Sequence, residues 1–267
     1  MTPPLVLTVG AHDPLGGAGI AADLATFAAF GVHGLVAITA VTAQRFDSVD
    51  RVAATEPDML AAQLDAISAD SRPVAMKVGL LFDAAQVEVV AARIADGRLP
   101  RPVVDPVMVD GRGRRFVPPD VEAACRAHLF PQAEALTPNR AEAALLGSTP
   151  AALAGLGPEV VVVTGGGGDG VDVVISADGT TAELAGAWID TSNVRGSGCT
   201  FAAALTAARA RGRDLSDATR EAKRFVSDRL RDSAGWRIGP PGGVGPVSHR
   251  CPDLGSGDQG TSAQSSP

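Results

Sequence analysis

Short apolar runs alternate along the chain with longer segments in which apolar residues recur at helical spacing. Short apolar runs between turn residues are typical of buried strands, whereas apolar residues three and four apart are typical of amphipathic helices. The predicted strands cover residues 5–9, 35–41, 74–78, 103–105, 135–137 and 160–164. The predicted helices cover residues 20–30, 56–70, 84–95, 119–129, 139–146, 202–210 and 216–232.

Other segments refine this pattern. Residues 46–54 are predicted to form a short projecting strand or a lid segment. Asp178 and Gly179 separate two strand-like runs over 171–184, which predicts a β-hairpin. The residues predicted on the buried face of helix 56–70 are Met59, Leu60, Leu64 and Ile67.

The alternation of strands and helices predicts an α/β protein with a mainly parallel central sheet and helices on both faces. In such sheets ligands bind beyond the carboxyl ends of the strands. Five residues follow predicted strands or lie in the loops after them: Gln44, Asp105, Asn139, Gly165 and Cys199. We therefore expect these residues to converge on one site.

Composition sets the domain organisation. With 267 residues, of which 45% are hydrophobic and 20% charged, the chain fits one large domain better than several small modules. We predict this domain over residues 1–238. From residue 239 onward glycine, proline, serine and polar residues follow without periodicity, so residues 239–267 are predicted to be a disordered tail.

Charge and cysteine usage exclude several classes of protein. The net charge of −7 argues against general nucleic-acid binding, which relies on lysine and arginine. The three cysteines are widely spaced and predict neither a disulfide framework nor a zinc site. The first residues lack a secretory signal pattern, and no stretch is long enough to span a bilayer. We therefore expect a cytoplasmic protein with no membrane or nucleic-acid partner.

The densest chemical signal lies at residues 190–201, which read DTSNVRGSGCTF before an alanine-rich helix. Gly196 and Gly198 allow close approach of a ligand, and the amides of 196–199 would form an anion site at a helix N-terminus. The same positive field should favour the thiolate of Cys199. A phosphate cradle beside a base indicates phosphoryl transfer. An ordinary glycine loop before a core helix, with one buried cysteine, is the alternative.

Other candidate positions have simple structural alternatives. The turn GGAG at 16–19 is either a phosphate loop or a tight turn, and it matches neither a dinucleotide fingerprint nor a Walker A loop. Asn139 and Glu142 have the spacing of a capping box, and the same pair could position Mg²⁺ through water. Asp105, at a strand end, is either a loop acceptor or part of a metal and phosphate site.

Six segments together resemble the hydroxymethylpyrimidine and phosphomethylpyrimidine kinases of thiamine synthesis, in the ribokinase-like superfamily. They are DPLGGAGIAADL (13–24), TAVTAQ (39–44), KVGL (77–80), VDPVM (104–108), TPNRAE (137–142) and DTSNVRGSGCT (190–200). Each segment alone is a weak signal, but together they follow the family's order over about residues 5–230. The resemblance implies a three-layer αβα ribokinase-like fold and two ATP-dependent transfers, from alcohol to monophosphate and then to diphosphate.

The resemblance also implies roles for individual residues. Cys199 would replace the aspartate base of the sugar kinases, and the anion hole would consist of Gly196, Ser197 and Gly198. The implied substrate-binding residues are Gln44, Ala11, Asp23 and Val107. The implied nucleotide-binding residues are Asn139, Thr164 and Gly166, and the implied Mg²⁺ residues are Glu142 and Asp105. Phosphoryl transfer needs mainly positioning and charge stabilisation, which such a set would supply.

Some positions depart from the family pattern. His12 stands where serine is common, Leu80 where methionine is frequent, Thr164 where lysine is frequent, and Arg195 where histidine is frequent. Leu80 would lie near the substrate and Thr164 near the nucleotide, so substrate choice and ATP affinity stay open. A pyridoxal-type kinase and a non-catalytic pyrimidine-binding paralogue therefore stay open as alternatives. Relatives are often dimers, so a homodimer is expected.

Overall fold

A computed structural model of the protein describes residues 2–46, 48–109, 115, 117–165 and 170–249. The strands are β1 (Leu5–His12), β2 (His33–Gln44), β3 (Val49–Ala54), β4 (Ala75–Val78), β5 (Pro102–Val104), β6 (Ala135–Leu136), β7 (Val160–Val163), β8 (Asp172–Ser176) and β9 (Thr181–Leu184). The helices are α1 (Gly19–Ala29), α2 (Pro57–Asp70), α3 (Ala84–Ala95), α4 (Pro119–Ala124), α5 (Arg140–Leu146), α6 (Pro150–Ala154), α7 (Ser197–Ala210) and α8 (Leu215–Ser233).

These strands form one sheet in the order β3-β2-β1-β4-β5-β6-β7-β8-β9. Six strands, in the order β2-β1-β4-β5-β6-β7, run parallel to one another. At the two edges of the sheet, β3, β8 and β9 pair antiparallel. The chain passes from β1 to β2 on one side and later returns to β4 on the other. This change of direction creates a crevice at the carboxyl ends of β1 and β4, where α/β sheets bind ligands.

Helices cover both faces of the sheet, because successive strand residues point to opposite faces. Leu7 of β1 packs into a core with α2 and α3, whereas its neighbour Val6 packs into a second core with α1, α7 and α8. Five of the six alanines of α7 are buried and let this helix pack closely against the sheet. The predicted three-layer αβα arrangement and the mainly parallel sheet are confirmed.

Of the two alternatives predicted for residues 46–54, the strand is present, and residues 49–54 pair antiparallel with β2 at the edge of the sheet. Other predicted elements differ from the structure. The predicted place of Met59 on the buried face is wrong: its side chain is 58% exposed, whereas Leu60 and Leu64 are buried. Leu60, Leu64 and Ile67 recur at helical spacing, and Met59 lies about 100° away from Leu60. The helix predicted over 119–129 widens into a π-helical turn at Cys125–Leu129.

The ordered chain continues beyond the predicted boundary at residue 238. Val247 and Ser248 are buried, and the backbone at 245–247 is hydrogen-bonded to Arg195. The described chain therefore packs against the loop before α7 as far as His249, and the domain boundary at residue 238 stays a prediction. The rest of the predicted tail, residues 250–267, lies outside the described residues. No helix in the described part of the chain is both long and apolar enough to cross a bilayer.

Candidate active site

Two glycine-rich loops meet at the crevice beyond β1 and β4. Gly196 has a φ of +84°, and a Cβ atom at this position would overlap the carbonyl oxygen of Gly17, so only glycine fits there. Arg195 joins the same loops through an ion pair, with its Nη2 atom 3.3 Å from Oδ2 of Asp13. The sequence motifs at 13–24 and 190–200 are therefore neighbours in the fold.

The helix N-terminus predicted near Cys199 is present, but it begins earlier than expected. Helix α7 begins at Ser197, with Gly196 as its N-cap residue. The amide of Ser197 donates to the carbonyl oxygen of Val194 at 3.1 Å, so it is already occupied. Ordinary helix geometry leaves the amides of Gly198 and Cys199 for a ligand, at the positive end of the helix dipole.

A buried ion cluster lies beneath this helix terminus. Lys77 of β4 is 1% exposed, and its Nζ atom donates to Oδ1 of Asp23 at 2.6 Å. The same Nζ atom is 3.9 Å from Oδ2 of Asp105, which follows β5. The sequence interpretation gave Lys77 no role. The signal was a lysine within an otherwise apolar strand, because a buried charge must be paired.

Asp23 is held inside this cluster. Its Oδ2 atom accepts a hydrogen bond from the hydroxyl of Thr8 at 2.6 Å, and its Oδ1 atom accepts from Lys77. Burial raises the pKa of Asp23, although Lys77 acts in the opposite direction. The side chain is 1% exposed. Each oxygen of this carboxylate already accepts one hydrogen bond, and the implied contact of Asp23 with a substrate stays a prediction.

Cys199 lies between the two glycine loops and the ion cluster. The amide of Gly19 and the carboxylate of Asp105 both lie near its sulfur and act on its pKa in opposite directions. Burial raises the pKa of Cys199 to about 12, and the charge of Lys77 lowers it less than burial and the carboxylates raise it. The predicted preference for thiolate is therefore wrong, because desolvation outweighs the helix terminus.

Asn139 and Glu142 form the predicted capping box at the start of α5. Oδ1 of Asn139 accepts from the Glu142 amide at 2.9 Å, and Oε2 of Glu142 accepts from the Asn139 amide at 3.0 Å. Oε1 of Glu142 also accepts from the amide of Met108 at 3.2 Å, which joins α5 to the loop after β5. Burial and the nearby carboxylate of Asp105 raise the pKa of Glu142 to about 8.

The two carboxylates fit a hydrated divalent cation. Oδ2 of Asp105 is buried and accepts no hydrogen bond, and the negative charges of Asp105 and Glu142 disfavour each other. Magnesium usually keeps several waters and uses only one or two carboxylates together with substrate phosphates. Within the described ranges no group of three histidine, cysteine, aspartate or glutamate side chains could hold a metal by itself.

The other predicted residues lie at the same end of the sheet. Ala11 is buried near the end of β1, and Gln44 is partly exposed at the end of β2. Val107 lines a small apolar cavity after β5, together with Gly79 and Leu81. Thr164 follows β7, and its amide donates to the carbonyl oxygen of Pro138 at 2.8 Å, beside Asn139. Gly166 lies outside the described residues.

Comparison with known proteins identifies the relatives of this chain. Residues 13–248 match the family model described as phosphomethylpyrimidine kinase. The hydroxymethylpyrimidine/phosphomethylpyrimidine kinase of Synechococcus elongatus is 42% identical over 94% of this chain and 99% of its own length. The enzyme of the same name from Escherichia coli is 37% identical over 91% of this chain and 96% of its own length. The pyridoxine kinase of Bacillus subtilis is 35% identical over 85% of this chain and 90% of its own length.

Solved structures show the same fold. The ADP complex of Bacillus subtilis pyridoxal kinase superposes with a TM-score of 0.84 at 32% identity, covering 94% of this chain and 98% of that chain. The phosphomethylpyrimidine kinase from Clostridium difficile superposes with a TM-score of 0.74 at 28% identity, covering 84% and 98%. These similarities confirm the predicted ribokinase-like class.

Proposed function

Because the chain belongs to the phosphomethylpyrimidine kinase family, we propose that it phosphorylates 4-amino-5-hydroxymethyl-2-methylpyrimidine to its monophosphate and then its diphosphate, in thiamine biosynthesis. The phosphoryl donor is ATP. The observation that carries this proposal is the position of Cys199, in the first turn of α7 and near the carboxylate of Asp105. The N-terminus of α7, the Cys199 thiol and the Asp105 carboxylate, which fits a cation, therefore lie close together.

Positioning and charge explain how this site would promote the transfer. The transition state of phosphoryl transfer is loose and spreads negative charge over the transferred group, so fixed N–H donors stabilise it. In this proposal the amides of Gly198 and Cys199 bind the oxygens of the transferring group. Gly196 and Ser197 contribute through the backbone geometry that aims these amides, since the Ser197 amide is bonded to Val194.

Cys199 is the proposed group that contacts the reacting hydroxyl. It orients the hydroxyl and accepts its proton in the ionised form of the thiol, which the positive charge of Lys77 favours. The high pKa of Cys199 makes this form scarce at neutral pH. A loose transition state asks little covalent chemistry of the protein, so a weakly populated base is compatible with turnover.

The remaining residues bind the substrate, the nucleotide and the metal. Gln44 donates to and accepts from the aminopyrimidine edge, while Ala11 and Val107 line the ring pocket. Asp23, the buried partner of Lys77, is the remaining proposed substrate-binding residue. Asp105, Glu142 and Asn139 would hold Mg²⁺, which neutralises phosphate charge. Thr164 and Gly166 are the proposed nucleotide-binding positions.

Product analysis by mass spectrometry tests this function. The protein is incubated with ATP, Mg²⁺ and the hydroxymethylpyrimidine, and a parallel reaction contains pyridoxal. We expect the monophosphate of the pyrimidine to form first and the diphosphate to follow. Accumulation of monophosphate alone would remove the second step from the proposal, and the absence of any pyrimidine product would refute it.

A pyridoxal-type kinase is the second candidate, because pyridoxal and pyridoxine kinases are among the similar proteins. Phosphorylation of pyridoxal alone would favour it, and product from neither alcohol would favour the pyrimidine-binding paralogue. The proposal also includes a homodimer in the cytoplasm. Sedimentation velocity at micromolar concentration measures the mass, and a single species of monomer mass would contradict the dimer.

A further inference from the structure

The last described residues, 245–249, run along the loop that leads into α7. We call this segment the C-terminal strap. The amide of Arg195 donates to the carbonyl oxygen of Gly245 at 2.9 Å, and the amide of Val247 donates to the carbonyl oxygen of Arg195 at 3.0 Å. Both the amide and the carbonyl oxygen of Arg195 are thus hydrogen-bonded to the strap. The next residue along the chain is Gly196.

The beginning of the strap is fixed by a tight contact with Asn193. The amide of Gly245 donates to the carbonyl oxygen of Ser192 at 3.2 Å. A Cβ atom at Gly245 would overlap Oδ1 of Asn193, so the strap approaches as closely as a glycine permits. Asn193 is 3% exposed, and its Nδ2 atom donates to the carbonyl oxygens of Ser233 and Trp236. One side chain therefore joins the strap, the loop and the end of α8.

The end of the strap reaches the first turn of α7. Nε2 of His249 lies 3.0 Å from the hydroxyl of Thr200, a fully buried residue that follows Cys199 directly. Pro246 lies beside the other glycine loop, where a Cβ atom on Gly17 would come within 3.1 Å of it. The strap therefore contacts both loops of the active site and brackets residues 196–199 from either side.

This arrangement has a catalytic consequence. Residues 190–196 contain no regular secondary structure, so their position depends on bonds from outside the loop. A misplacement of about 1 Å at a reacting centre can reduce a rate about 100-fold. We propose that the C-terminal strap is a positioning element for phosphoryl transfer: it fixes the amides of Gly198 and Cys199 against the transferring group. This inference rests on the proposed kinase function.

Matched glycine substitutions test the strap. In Gly245→Ala the new methyl group must displace Asn193 or the strap, whereas in Gly235→Ala it meets no atom within 4 Å. We expect kcat of Gly245→Ala to fall about 10- to 100-fold while KM for the pyrimidine stays within about twofold, because Gln44 is untouched. Gly235→Ala should match the wild type in both constants.

A second pair of variants does not depend on the glycine. His249→Ala removes the bond to Thr200 and should lower kcat, and His249→Gln should restore part of the loss, since an amide can still bond to the hydroxyl. Hydrogen exchange followed by mass spectrometry gives a readout without catalysis. In Gly245→Ala and His249→Ala, the peptide covering 192–201 should exchange faster, and peptides from α3 should exchange as in the wild type.

The outcomes separate this inference from the proposed function. If Gly245→Ala has the kcat of the wild type and residues 192–201 exchange as in the wild type, the proposed role of the strap is refuted. A loss of kcat accompanied by equally faster exchange throughout the protein would also overturn it, because the variant would then be unstable overall. If the wild type itself shows no kinase activity, the proposed function fails, and the exchange of 192–201 still decides whether the strap fixes the loop.

Discussion

Lys77 keeps its positive charge in the interior of the protein because two carboxylates face it. Burial alone would lower its pKa, but the charges of Asp23 and Asp105 and the hydrogen bond to Asp23 raise it above the usual value. A buried ion pair of this kind is expensive to break, because the partner left behind is an unpaired charge in a nonpolar environment. Lys77 and Asp23 are therefore expected to matter to stability as a pair.

Single and double substitutions test this pairing. Lys77→Met leaves the carboxylate of Asp23 with only Thr8 as a partner, so we expect the free energy of unfolding to fall by roughly 3–5 kcal/mol. Adding Asp23→Asn removes the stranded charge and should recover part of the loss. Urea denaturation followed by circular dichroism measures both values. A double variant no more stable than Lys77→Met would show that the pairing is unimportant.

Cys199 and Cys125 allow a matched test of chemistry against packing. Cys199→Ala removes the proposed proton acceptor, and we expect kcat to fall about 100-fold or more, with ATP binding retained in calorimetry. Cys125→Ala removes a buried thiol in the core, away from the helix terminus, and should lower the melting temperature while leaving kcat near the wild-type value. Wild-type turnover in Cys199→Ala would refute the assigned role.

The sequence identified Cys199 but not the direction of its pKa shift. The sequence motif places the thiol at a helix N-terminus, and that local feature favours a thiolate. The opposing influences are burial and the carboxylates of Asp105 and Asp23, which come from distant parts of the chain. For the same reason Lys77 was recognisable as a polar residue in an apolar strand, but its partners were not. Only the fold brings these charges together.

At the scale of elements, α5 shows how one short helix serves two purposes. The capping box between Asn139 and Glu142 satisfies the N-terminal amides of the helix, and it also aims the Glu142 carboxylate at the loop after β5. A helix of seven residues has little stability of its own, so the cap and tertiary contacts must hold it. The carboxylate is thereby fixed close to Asp105.

Two substitutions at Asn139 separate capping from metal binding. Asn139→Ala removes the cap and should lower the free energy of unfolding by about 1 kcal/mol, whereas Asn139→Ser keeps a capping oxygen and should preserve stability. Both should raise the Mg²⁺ concentration that gives half-maximal rate, because both change the proposed metal environment. If the Mg²⁺ dependence of Asn139→Ser is unchanged, Asn139 caps the helix and takes no part in metal binding.

Most elements were predictable because periodicity and turn residues mark them locally. Helix α3 agrees with the predicted 84–95, and the strands of the parallel sheet agree within a few residues. The differences arise where tertiary contacts decide. Helix α7 begins at Ser197, before its predicted start at residue 202, although its first turn contains Gly198. The preceding Gly196 packs against Gly17, a contact between distant parts of the chain that the local sequence does not reveal. The segment at 245–249 has no periodicity, and its order comes entirely from its partners.

At the scale of the whole molecule, the active site joins the two ends of the described chain. The loop at 13–19 follows the first strand, residues 190–200 come late in the sequence, and the strap ends at His249. The ion pair between Asp13 and Arg195 and the bond between His249 and Thr200 close this arrangement. In the proposed mechanism the site is complete only when the C-terminal segment has docked, which would couple docking to the overall stability.

The protonation state of His249 makes this coupling measurable. Burial, and secondarily the charge of Arg229, lower the pKa of His249 below its usual 6.5. The unfolded chain therefore takes up a proton at a higher pH than the folded chain does, and stability is lost as the pH falls from above 6.5 through the folded pKa. Stability from this group is fully present only above the unfolded value.

We therefore expect the melting temperature of the wild type to decrease more between pH 7.5 and 5.5 than that of His249→Gln, which cannot take up this proton. The comparison cancels the contributions of all groups that the two proteins share. Differential scanning calorimetry at several pH values gives the two curves. If the curves run parallel across this range, protonation of His249 does not oppose docking of the strap. If they converge as the pH falls, an acid environment loosens the C-terminal strap and, with it, the loop that leads into α7 and Cys199.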